Sequence, residues 1–239
     1  MKTLLRQKSM LLLYCLLVTS FLVAESAFAD TDSMNCPGTL ADTHATLTDG
    51  DQNSSSHLQL SRKIGGVTDF DLNICAADVT LTGSADNMLR VTVDIERPAQ
   101  QHTAVDYLQK LDITPEHVEL QLHLMHPLHA KVTIEVPSAP PKLTLNLGRG
   151  DLTVVADRLG GKRESINVGY GHVEFQGNAN SYEGLQVNVG LGSLHDHRKD
   201  GESHHFIVSR SLEGTGKGSI EMNVGMGRVD LNPGQNKPI

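Results

Sequence analysis

Tryptophan is absent from the 239-residue chain and aromatic residues make up only 4% of it. That removes the usual stacking platforms for sugars and single-stranded nucleic acid. Basic residues are the minority charge. Residues 1–29 carry three of the 20 Lys and Arg and one of the 28 Asp and Glu, so the remainder holds 17 against 27, a formal charge of −10. A body that acidic is a poor nonspecific ligand for phosphates, and no nucleic-acid partner is expected. Apolar runs are scarce too. The longest, Met10 to Ala24, is about 15 residues, short of the roughly 20 that span a bilayer, so no membrane span is expected.

That one run lies in a segment with the layout of a secretory signal. Lys2, Arg6 and Lys8 precede it and Ala27-Phe28-Ala29 follows as a small-residue cleavage site. Residues 1–29 therefore read as a signal peptide, and the product as exported, either periplasmic or extracellular. Of three cysteines, Cys36 and Cys75 lie beyond the signal. In an oxidising compartment an even pair is most simply a disulfide. Residues 30–57, rich in Thr, Ser, Asp and Asn, read as a flexible leader that this bond would tether.

What the chain does have is a repeat. Asn146, Gly148 and Gly150 recur as Asn167, Gly169 and Gly171, as Asn188, Gly190 and Gly192, and as Asn223, Gly225 and Gly227. A branched aliphatic residue follows each Asn, and the Asn residues are 21, 21 and 35 apart. A period near twenty, made of alternating strands punctuated by Gly, predicts an all-β solenoid or parallel β-helix whose successive coils stack. About 21 residues per coil gives roughly seven or eight coils over 58–239. Alternation places Leu145, Leu147, Ile166, Val168, Val187, Val189, Met222 and Val224 inside, with the Asn side chains outward in a ladder. Between Arg97 and Leu111 the period changes to three, through Val105, Leu108 and Leu111, predicting one short helical insertion or cap.

Val132-Thr133-Ile134-Glu135-Val136-Pro137, with the Gly-x-Gly corners after it and Ile74-Cys75-Ala76-Ala77-Asp78-Val79-Thr80-Leu81 before it, resembles the bacterial "putative adhesin" domains of unknown function. The likeness runs over roughly residues 58–232. It implies a right-handed β-solenoid in an exported or envelope protein, with adhesion as the role and no catalytic set to carry over.

Histidine is the compositional oddity, all 12 lying beyond residue 29. His195, His197, His204 and His205 fall in a charged stretch that holds the surplus between the third and fourth copies. Neutral imidazoles with carboxylate neighbours suit a divalent transition metal, and they also gain charge near pH 6.5. His123, His126 and His129 form a looser group. Arg149-Gly150-Asp151 matches the integrin tripeptide, but its Gly is fixed by the repeat. Gly-x-Gly lacks the flanking helix and third Gly of a phosphate loop. Asp151, Glu174, Asp196 and Asp230, read as outward on adjacent coils, do not amount to a catalytic pair. The expected role is non-enzymatic: a scaffold or adhesin-like surface for an unknown protein or surface partner, with self-association possible and no cofactor required. The alternative is a metal-binding or pH-responsive protein using the His-rich insertion.

Overall fold

A computed structural model describes residues 47–65, 68–99, 102–124, 128–198 and 201–234. The signal segment, Cys36 and His126 lie outside them. The strands are β1 (Gln52–Asn53), β2 (His57–Lys63), β3 (Asp69–Ala76), β4 (Asp78–Ser84), β5 (Met88–Ile95), β6 (Leu108–Ile113), β7 (His117–Leu122), β8 (Ala130–Pro137), β9 (Leu143–Val155), β10 (Arg163–Gln176), β11 (Gly184–Asp196), β12 (Glu202–Glu213) and β13 (Ser219–Asn232). The protein is all-β, on one large and mostly parallel sheet.

The four copies are the long strands β9, β10, β11 and β13. In β9, Leu143, Leu145 and Leu147 are buried, and so are Leu152 and Val154. Those two sets differ in parity, so a straight strand would put them on opposite faces. Both reach one core because the strand bends at Gly148-Arg149-Gly150. The bend demands glycine. At Gly171 φ is +155°, and a Cβ there would lie 1.8 Å from the carbonyl oxygen of Gly150 on the next strand. Within each half, alternation holds: Leu145, Ile166, Met222 and Val187 are in register and buried. Each such side chain contributes about 1.5–3 kcal/mol.

Chain order and spatial order part company. The fourth copy, β13, lies between the second and third, pairing in parallel with β10 and with β11. The expectation that each copy stacks on the one before therefore fails at β11. Every copy has the same register, so exchanging neighbours costs no alignment. Of the His-rich stretch, His195 lies in β11 and His204 and His205 lie in β12, which runs antiparallel to β11 and covers the end of the parallel array.

At the opposite end β3 and β4 share one place beside β9, and β7 and β8 follow in parallel. Antiparallel β6, β5, β2 and β1 finish this side. Among its described residues the predicted helical segment contains a 3₁₀ turn at Ala104–Tyr107 only, and Leu108 to Ile113 is strand. A register shift between Leu108 and Lys110 lets residues three apart both face inward, which imitates helical spacing. Residues 47–57, the described part of the leader, are held at Asp51, whose carboxylate accepts two 2.6 Å bonds from Arg62. Those bonds hold its pKa down to about 2.

Candidate functional site

Outward residues of the stacked strands form rows, and three rows have distinct chemistry. The first is the amide row. Asn146 bonds Asn73 at 2.8 Å, Asn167 bonds Asn146 at 2.9 Å, Asn223 bonds Asn167 at 3.0 Å and Asn188 bonds Asn223 at 2.9 Å. Asn73 begins a fifth copy, Asn73-Ile74-Cys75-Ala76-Ala77, with alanine where the others have the second glycine. It carries no Gly, so the Gly-x-Gly motif could not find it; the Asn-aliphatic pair in a strand could. These amides satisfy one another and are structural.

The second row is the corner ridge. The residues between the paired glycines are Arg149, Tyr170, Met226 and Leu191 in spatial order, all exposed. The Arg149 guanidinium lies 5.3 Å from the centre of the Tyr170 ring. Where β12 crosses the end of this ridge, the register shifts opposite Gly190-Leu191, and Phe206 and Ile207 are 76% and 82% exposed. Phe206 takes φ of 75°, an unusual conformation for a bulky residue. Arg149, Gly150 and Asp151 line a shallow cavity of about 200 Å³ with Tyr170 and His129. The Arg of the integrin-like tripeptide is thus engaged with a neighbouring ring.

The third row carries the histidines. His195 and Asp230 occupy the same position in successive spatial copies and are paired across β11 and β13. His197 follows on the same side, its amide bonded to the Leu231 carbonyl. His172 on β10 completes the group. Asp230 Oδ2 accepts a 2.8 Å bond from His172 Nε2 and a 2.9 Å bond from Arg228 Nε. Asp230 Oδ1 is buried and accepts no hydrogen bond; His195 Nδ1 and His197 Nε2 each stand 3.6 Å from it. Burial opposes ionisation of Asp230, yet the bonds from Arg228 and His172 outweigh it and its pKa lies below the ordinary value.

Of the four histidines singled out from sequence, His195 and His197 come together, and the His205 ring is 5.8 Å from that of His195. His204 is in register with inward-facing Leu194 and lies 3.8 Å from Glu202, apart from the group. Two acidic residues read as outward are in fact covered. Asp196 has turned to the opposite side from His195, where Arg198 grips both its oxygens at 2.9 Å. Asp230 keeps the outward face but is only 4% exposed, roofed by its imidazole and guanidinium neighbours. Asp230 and His172 were missed as partners of the histidines; aligning the copies would have placed residue 230 beside 195, both seven after the repeat Asn. Of the looser group, His123 is buried, which lowers its pKa, with Nδ1 3.7 Å from Cys75 Sγ.

The class this geometry defines is an all-β protein on a large, mostly parallel sheet. No family model and no curated protein matches the chain. Among solved structures similar to it is one titled a "putative cell adhesion protein" from Clostridium sporogenes, 15% identical, with a TM-score of 0.47, covering 73% of this chain and 98% of that one. Among the described residues no helix is long and apolar enough to cross a membrane.

Proposed function

We propose that the protein is an exported, non-enzymatic β-solenoid, right-handed with coils of about 21 residues, that offers a binding surface in the cell envelope or outside the cell. A Cys36–Cys75 disulfide tethering the leader belongs to this reading. The observation that carries it is the apolar corner ridge. Tyr170, Met226, Leu191, Phe206 and Ile207 make five of the six large hydrophobic residues exposed among the described residues; the first three are successive in register, and Phe206 and Ile207 lie on β12 opposite the Gly190-Leu191-Gly192 corner. Scattered apolar residues are ordinary on a surface, whereas a contiguous line marks a contact.

The occupant we propose is another protein, with a second copy of this chain as the simplest case. Among the described residues β12 pairs with β11 alone, so its far edge offers unpaired backbone groups to an added strand. The ridge would pack that strand's apolar side chains. Crosslinking in the native organism, followed by separation of the products, tests this. A ladder of the protein with itself, or one defined partner, is expected, and Leu191→Lys with Ile207→Lys should abolish it. Products unchanged by those two charges would overturn the reading.

A further inference from the structure

We propose that His195, His197 and Asp230 bind a divalent transition-metal ion of the zinc, copper(II) or nickel class. Three groups converge, from two neighbouring strands and the turn that follows β11, with one ligand atom from each within 4.8 Å of the others. A tetrahedral ion with ligands near 2.1 Å holds neighbouring ligand atoms about 3.4 Å apart. The two 3.6 Å separations at Asp230 Oδ1 match that spacing. They are too long for hydrogen bonds, so the imidazoles approach the oxygen without satisfying it.

Two further features set this group apart from a chance surface cluster. Asp230 is nine-tenths buried and more, yet Oδ1 accepts no hydrogen bond. Leaving such atoms unpaired is costly unless something else occupies them. The other carboxylate oxygen, by contrast, is fully engaged. His172 and Arg228 fix Oδ2 and so fix the plane of the carboxylate, turning Oδ1 toward the two histidines. That is the outer-shell orientation that ligating carboxylates receive in built sites. Arg228 sits on the Oδ2 side, where it balances the carboxylate charge.

Two imidazole nitrogens and one carboxylate oxygen form a borderline donor set. It favours zinc, copper(II) and nickel over calcium or magnesium, which prefer oxygen ligands throughout. With three protein ligands the ion keeps at least one open position. The site is separate from the corner ridge, and either proposal can fail while the other stands.

The test is calorimetric titration of the chelator-stripped full-length protein with zinc, copper(II) and nickel salts in turn, alongside magnesium. One ion per chain with micromolar or tighter affinity is expected for at least one of the first three, and none for magnesium. Asp230→Asn and the double variant His195→Gln, His197→Gln should each weaken binding more than about tenfold, and His172→Gln by about tenfold through the outer shell. His204→Gln should leave it unchanged. Circular dichroism confirms that each variant is folded, and cobalt absorption bands report whether imidazole and carboxylate ligate the ion. Absence of micromolar binding, or variants at His195, His197 and Asp230 that bind like the parent, would overturn the proposal.

Discussion

Glu164 and Asp230 are carboxylates buried to nearly the same degree, 2% and 4% exposed, on opposite faces of neighbouring strands. Glu164 points inward. It takes the place in the core file held on adjacent strands by Leu143 and Ile220. One oxygen accepts the Gly161 amide at 2.8 Å and the other accepts no hydrogen bond. Burial pushes its pKa up to about 7, only partly offset by that amide. Asp230 points outward into a ring of donors, and its pKa goes down. Loss of water is common to both; the donors that replace it decide the sign.

The largest effect that would break this comparison is at Glu164. A carboxyl whose folded pKa is raised stabilises the fold fully below its ordinary value of 4.5, and that stability is lost as pH rises through the folded value of about 7. The whole span amounts to about 3 kcal/mol. Glu164→Gln removes the titration, so its unfolding free energy should stay level where that of the parent falls between pH 5 and 8. Denaturant melts at the two pH values measure the difference; parallel profiles would mean that Glu164 is solvated.

Next in size is a neutral control on the outer face. Asn167→Ala leaves the Asn146 oxygen and an Asn223 amide proton without their partners. The expected cost is about 1–3 kcal/mol, independent of pH from 5 to 8. A pH-dependent loss would show that the amide row and the carboxylates are coupled. The smallest change is at the donors of Asp230. Its lowered pKa contributes stability present above the ordinary value of 3.8 and lost as pH falls through the folded one. His172→Ala removes one donor and should cost about 0.5–1.5 kcal/mol. Acid-unfolding midpoints should move to higher pH, toward a more ordinary carboxylate; an unmoved midpoint would assign the effect to Arg228 alone.

The pair also shows what can be read from the chain. The inward files and the outward amides follow from alternation and the Asn spacing, and the structure has both. Glu164 was legible as well, since counting back three residues from Asn167 lands on the phase of Leu143 and Leu185. Other features depend on which strands are neighbours, and there the repeat is silent. Identical registers allow β13 beside β10 as readily as β11, so the meeting of His172 with Asp230 follows only once the spatial order is known. The false helix has the same origin: a bulge in β6 is a relation between two strands, and one strand's sequence reports it as a change of period.

The amide row has a polarity. Ser209 donates to Asn188, and each amide then donates onward through Asn223, Asn167 and Asn146 to Asn73, which donates at 3.1 Å to Asp71. An ionised carboxylate can only accept, so Asp71 dictates which way Asn73 turns, and Asn73 dictates the next. Five amides on five strands are thereby aligned head to tail, by Asp71 at the end and by Glu221, which accepts at 3.2 Å from Asn223, within the row, with their dipoles adding along the stacking direction. The stack consequently has a chemically distinct front and back, although its core files look alike from either side.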